Sequence, residues 1–235
     1  MTPPGRMGKG RRLIIAMDGP AGVGKSTVGQ LVAKDLGYYF VNTGEMYRAL
    51  TWKAMEEGGD LKDESAVMAL AKRLSWEFKP SENGTALKTF LDGESVSSHI
   101  RAEEVSRSTS LVAAMPSIRR FLCGLQRGLG KAGGVVMEGR DIATHVFPNA
   151  DVKIYLDASL EERAKRRIRQ LRSSGHSAES AGVRNAILQR DRNDLERKIN
   201  PLAYAAGATL IDSTRLSMHG VARKILKIVK ERQKQ

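Results

Sequence analysis

At 235 residues the chain is long enough for one sizeable domain with room for inserted subdomains. Its 41% hydrophobic and 28% charged residues suit a soluble globular protein, and apolar runs such as residues 13–17 are far too short to cross a bilayer. A single cysteine, Cys123, excludes an internal disulfide and fits a reducing, cytoplasmic compartment, while the net charge of +13 calls for a polyanion or a multiply phosphorylated small molecule.

Residues 1–12 carry Arg6, Lys9, Arg11 and Arg12 among prolines and glycines without an apolar stretch, and read as a disordered basic leader rather than a secretion signal. Residues 13–17 form a buried strand closed by Asp18-Gly19-Pro20. Then comes Gly19-Pro20-Ala21-Gly22-Val23-Gly24-Lys25-Ser26, which matches G-x-x-x-x-G-K-S/T. The spacing predicts a helix after it, with Val28, Leu31, Val32 and Leu36 on one stripe and Gly37 as C-cap. Strand, glycine-rich loop and helix in that order are what phosphate binding needs. Glycines let backbone N–H groups curl around phosphates and the helix N-terminus adds its dipole. Lys25 is placed to reach the β- and γ-phosphates, and the Ser26 hydroxyl to hold Mg²⁺.

A second strand covers residues 38–41, and Thr43 is placed to cap a helix beginning near Glu45, with Met46, Leu50 and Met55 inward. Residues 58–110 change texture: a helix over 65–74, short strands near 76–78 and 87–91, and turn signals at Glu82-Asn83-Gly84 and Asp92-Gly93. Helical sequence runs from Glu103 to Lys131 with a break near Pro116. Strands follow at 135–137 and 152–156, then a helix opened by Ser159 with Glu162 as its capping-box partner, very basic from Arg163 to Arg172. After a polar gap at Ser173-Ser174-Gly175, a second charged helix covers 182–197, then a short strand at 209–211 and an amphipathic helix with Val221, Ile225, Ile228 and Val229. Five apolar strands alternating with helices imply a parallel sheet covered on both faces, with excursions after the second and fourth strands.

No guanine-reading Asn-Lys-x-Asp segment occurs, so a switch GTPase is excluded. Met137-Glu138 could serve as the acidic strand end of a motor-type or nucleic-acid-binding ATPase, which keeps that alternative open. Against it, aromatics are 5% and no zinc-finger, zipper or RNP pattern is present, so no nucleic acid is expected. A small-molecule kinase needs arginines to overcome repulsion between two phosphorylated substrates. Arg190 and Arg197, beside Asp191 and Asp194, have the appropriate content, and a solvated, salt-bridged helix pair is the alternative reading of the same residues. The four histidines, 99, 145, 176 and 219, lack metal-ligand spacing and read as structural or surface residues.

Gly19 to Thr27, Thr43-Gly44-Glu45-Met46-Tyr47-Arg48, Glu138-Gly139-Arg140-Asp141, Arg190-Asp191 through Asp194 and Arg197 to Pro201-Leu202, and Ile211-Asp212-Ser213-Thr214 resemble, in order, the bacterial cytidylate kinases. The resemblance spans nearly the whole chain after the leader. It implies a P-loop NTPase fold with a five-stranded parallel sheet, an inserted NMP-binding subdomain and a helical, Arg-rich lid, acting as a cytoplasmic monomer. The corresponding divisions are leader 1–12, core 13–58, NMP-binding insert 59–110, core 111–163, lid 164–199 and core 200–235. It implies transfer of a phosphoryl group from ATP, with Mg²⁺, to CMP or dCMP; UMP or another small acceptor is the alternative. Residues Gly19 to Thr27 would hold ATP. Thr43 and Arg48 would hold the acceptor nucleotide, Arg48 at its phosphate, and Ser110, Arg119 and Asp141 would read cytosine. Arg140 would be a second phosphate ligand, Arg190 and Asp194 would lie near the sugar, and Arg197 would reach the phosphates from the lid. Lys25, Arg140, Arg190 and Arg197 would be the catalytic cations. Three positions depart from the family's pattern: Asn42 stands for an Asp, Glu45 for an Ala and Gly207 for an Asp. They bear on acceptor affinity and on CMP against dCMP more than on the reaction class.

Overall fold

A computed structural model of the protein describes residues 11–82, 84–173 and 179–234. Most of the expected basic leader, Asn83 of the first turn signal, Ser174 and Gly175 of the polar gap, and His176 lie outside the described residues. The chain begins β1 (Ile14–Asp18), α1 (Lys25–Leu36), β2 (Tyr39–Asn42) and α2 (Thr43–Glu56). An excursion follows: α3 (Glu64–Arg73), β3 (Trp76–Pro80), β4 (Leu87–Leu91), β5 (Glu94–Ser95) and α4 (Glu103–Ala114). Next are α5 (Pro116–Gly130), β6 (Val135–Glu138), β7 (Val152–Asp157), α6 (Leu160–Ser173), α7 (Ser180–Glu196), β8 (Thr209–Asp212) and α8 (Met218–Gln233). Among the described residues no helix is long and apolar enough to cross a membrane.

Five strands form a parallel sheet in the order β2-β6-β1-β7-β8. Alternation along β1 explains how both faces are covered. Ile15 and Met17 turn toward α1 and α8, packing with Val28, Val32, Val221 and Ile225. Ile14 and Ala16 turn the other way, against Cys123 of α5 and Ile142. A separate apolar cluster joins α2 (Met46, Leu50) to α3, α4 and α5 and anchors the excursion after β2. There β3, β4 and β5 make a small antiparallel sheet. Its Asp92-Gly93 turn has positive φ at both residues, 51° and 83°, the combination a two-residue hairpin demands. The two-residue β5 beyond that turn is too short for a periodicity signal, and the sequence reading missed it.

Three local expectations are corrected. The second helix begins at Thr43, not near Glu45, because Asn42 ends β2 in extended geometry and is itself the N-cap residue. Thr43 caps nothing; its hydroxyl donates to the Glu138 carbonyl at 2.8 Å. Ala54 is fully inward one turn after Leu50, whereas Met55 is half-buried. The α6 capping box is half-formed: Ser159 Oγ accepts from Glu162 N at 3.3 Å, but the Glu162 carboxylate turns to Arg166.

Candidate active site

The five parallel strands end in Asn42, Glu138, Asp18, Asp157 and Asp212 along one edge. Ligands of open α/β sheets bind outside this carboxyl edge. The phosphate loop rises from it between β1 and α1. At Gly19, φ is 145° and a Cβ would lie 2.0 Å from the Leu156 carbonyl oxygen, so no side chain fits. Gly24 caps α1 in left-handed geometry at φ 97°. Lys25 is buried, its Nζ donating to the carbonyls of Gly19 and Pro20 at 2.7 Å each. Burial, and then the charge of Arg140, pull its pKa down to about 7. The Ser26 hydroxyl donates to the buried Glu138 carboxylate at 2.5 Å. The outer side of the loop is held by other elements. The Val23 carbonyl accepts from Arg166 at 2.9 Å and from the fully buried Ser213 at 3.1 Å.

Across the cleft, Arg119 and Asp141 form an ion pair at 2.5 Å, with side chains 3% and 11% exposed. Arg119 also donates to the Ala113 carbonyl and lies 5.6 Å from the centre of the Tyr47 ring. Arg197 approaches Asp141 at 3.4 Å and Asp194 at 3.6 Å, and its Nε donates to the Asn200 carbonyl. Arg140 donates to Asp194 at 2.6 Å. Burial works against the Asp194 charge, but Arg140, by charge and hydrogen bond, then Arg190 and Arg197, hold its carboxyl below the usual range. Ser110 is half-buried on α4, one turn before the Ala113 carbonyl that Arg119 engages.

Arg140 and Asp141 are aimed by a residue whose only sequence signal was its place at a strand end. Asp18 accepts from the N–H groups of Ile142 and Ala143 at 2.9 and 2.7 Å, pinning the single π turn at Ile142–Val146. Burial raises its pKa to about 6 against the pull of those two bonds. Gly139 completes the approach, since a Cβ there would lie 2.7 Å from Thr43 Oγ1.

The cations are crowded. Arg190 has its pKa lowered to about 10 by burial and then by the charges of Arg140 and Arg48. Arg48 is lowered likewise, by burial, with Arg140 and Arg167 adding to it. Among the described residues the buried Nε of Arg48 has no hydrogen-bond partner. A buried donor without an acceptor is costly, and like charges held together favour an anion between them. Glu45 shares the neighbourhood: burial raises its pKa, while Lys88 and Arg48 oppose the rise.

The structure therefore brings Lys25, Ser26, Thr43, Arg48, Arg119, Arg140, Asp141, Arg190, Asp194 and Arg197 to one edge of the sheet. Gly207 does not belong with them. It is an exposed left-handed turn residue (φ 73°) before β8, a conformation that favours glycine over the family's Asp. Sequence reasoning missed Asp18, Arg163, Arg166 and Ser213. Their one readable hint was position, at a strand end or one turn apart on the basic helix.

A family model described as cytidylate kinase matches residues 15–231. A cytidylate kinase of Geobacillus sp. (strain WCH70) is 48% identical over 218 residues, covering 93% of this chain and 96% of that protein. One from Pelotomaculum thermopropionicum is 46% identical over 212 residues, 90% and 93% of the two chains. Among solved structures, an uncharacterized protein from Eubacterium ventriosum superposes with a TM-score of 0.51 at 9% identity, covering 93% and 99%, a likeness of fold alone.

Proposed function

The chain belongs to the cytidylate kinase family, and on that premise we propose the reaction in detail and the residues that carry it. It is an ATP-dependent nucleoside monophosphate kinase that moves the γ-phosphoryl of ATP to CMP or dCMP, giving ADP and CDP or dCDP. The loop from Gly19 to Thr27 holds ATP, its N–H groups and Lys25 on the phosphates. Arg48 and Arg140 take the acceptor phosphate, and Thr43 braces the acceptor helix against Glu138. Arg190 and Arg197 come from the lid to offset the charge of two phosphorylated substrates. Transfer is direct, so the side chains position reactants and stabilise charge without forming a covalent intermediate.

The single observation that carries the choice of base is the buried Arg119–Asp141 pair. Cytosine presents an amino donor beside ring acceptors. A carboxylate accepts from the first and a guanidinium donates to the second, with Ser110 one turn from Ala113 as a further donor. Uracil puts a carbonyl oxygen where the amino group would be, facing a carboxylate that cannot donate.

The Mg²⁺ of an ATP-using kinase fits this site. The Ser26 hydroxyl and the Glu138 carboxylate, 2.5 Å apart, are oxygen donors few enough to leave room for water and phosphate oxygens, as this hard cation prefers. When bound it offsets charge on the β- and γ-phosphates. Action as a monomer in the cytosol is part of the same reading.

A coupled assay of ADP formation with CMP, dCMP, UMP and AMP tests it. CMP and dCMP are expected to be the preferred acceptors; folded protein that forms no CMP-dependent ADP overturns it.

A further inference from the structure

Consecutive helix residues point about 100° apart, and on α7 this sends Arg190 and Asp191 to different tasks. Arg190 faces the phosphate cluster with Arg140 and Arg48. Asp191 turns to the phosphate loop, its side chain 13% exposed. Its Oδ1 accepts from the Ala21 N–H at 3.3 Å, and its Oδ2 accepts from Nη1 of Arg163, on α6. The same Nη1 reaches the Ala21 carbonyl at 3.3 Å. One ion pair, drawn from two helices, thus takes both the N–H and the C=O of one loop residue. Arg163 is also packed flat on the loop: a Cβ at Gly22 would lie 3.3 Å from its own Cβ.

Stability alone is a poor reason for such a pair, because desolvation cancels much of the attraction between buried charges. What the pair supplies is registry. A loop rich in glycine has little to fix its peptide planes, and the amides must face phosphate. We propose that Asp191 is a positioning residue for phosphoryl transfer: with Arg163 it clamps the Ala21 peptide to α6 and α7, so that the loop and the neighbouring Arg190 meet the γ-phosphoryl group in one fixed geometry. The proposal rests on the kinase reading above. Asp191 touches no reacting atom in this scheme.

Two readouts on the full chain test it. In the coupled assay, Asp191→Asn removes the charge that holds Arg163 and is expected to lower kcat about 10- to 100-fold, the scale of a small misplacement. The KM for CMP should stay within about threefold, because the Arg119–Asp141 pair is untouched, while the melting temperature should fall, because the buried Arg163 loses its partner charge. Arg163→Lys keeps a charge but loses the planar fork, and should show the same kcat loss; a double variant should lose no more than either single one. Hydrogen exchange at the Ala21 amide of the ATP-free protein, compared with Asp191→Ala, is the second readout and needs no CMP activity. Exchange should speed up when the acceptor carboxylate is gone. The proposal is overturned by unchanged kcat, by kcat and CMP KM worsening to the same degree, by tighter ATP binding in Asp191→Asn, or by unchanged Ala21 exchange. Wild-type protein inactive on CMP sinks the kinase reading instead, and the exchange result then judges the clamp alone.

Discussion

On the proposed donor side of the cleft, eight consecutive residues curl into a loop whose contacts are mostly backbone, with Lys25 folded onto the carbonyls of Gly19 and Pro20. On the proposed acceptor side the residues come from four distant stretches of chain: Thr43 and Arg48 from α2, Arg119 from α5, the adjacent Arg140 and Asp141 just after β6, and Asp194 and Arg197 at the end of α7. Arg119, Arg140, Asp141, Asp194 and Arg197 are held by side-chain ion pairs. The difference predicts different vulnerabilities. A loop made of backbone is vulnerable at its one buried cation and at glycines such as Gly19, where no side chain fits. A constellation of paired charges fails as a unit, because removing one member leaves another buried and alone.

The largest effect expected is on that unit. Asp141→Ala strands the buried Arg119 guanidinium and should cost about 3–5 kcal/mol of stability, read as a lower urea midpoint, together with loss of CMP binding. An unchanged midpoint would mean that the acceptor side is not built on this pair. Lys25→Ala comes next: kcat should fall about 10²–10³-fold through loss of one charge at the transferred group, with little change in fold. Arg48→Ala should mainly weaken CMP, by roughly 1.5–3 kcal/mol of charged hydrogen bonding, read as a raised KM.

A subtler contrast lies in pH. Burial and Arg140 hold Lys25 near pKa 7 in the ATP-free protein, below its ordinary 10.5. Above pH 7 the amine is therefore largely neutral, and phosphate favours its charged form. ATP binding should take up a fraction of a proton approaching about one at pH 8–9, and affinity should decline as pH rises through that range. Calorimetric titration in buffers of differing ionisation enthalpy measures the uptake; proton release would contradict the assignment of Lys25.

The same contrast explains what could be read from the sequence. The loop, its strand and its helix were legible because their signal is local: glycines, an apolar run and a 3.6-residue stripe lie within 25 positions. The sheet and its two excursions followed from alternation of elements. Asp18, Ser213 and Asp191 were not legible in their roles, since their partners lie 124, 190 and 170 positions away. No periodicity encodes such a hydrogen bond. Thr43 was misread as a cap for a related reason: a Thr before a helical stripe suits that role locally, and its bond to the Glu138 carbonyl, 95 positions on, is invisible to a short window. The acceptor residues were named through family resemblance, and their pairing became visible only when the chain was folded.

If the two sides are independent in construction, disabling one must leave the other able to bind. The direct measurement is calorimetric titration of CMP into Lys25→Ala protein. A CMP Kd within about twofold of wild type, beside lost turnover, is the predicted result, because a catalytic charge acts on the transition state rather than on the acceptor's ground state. Weakening of CMP as large as that in Arg48→Ala would contradict it and show that the two sides form a single site.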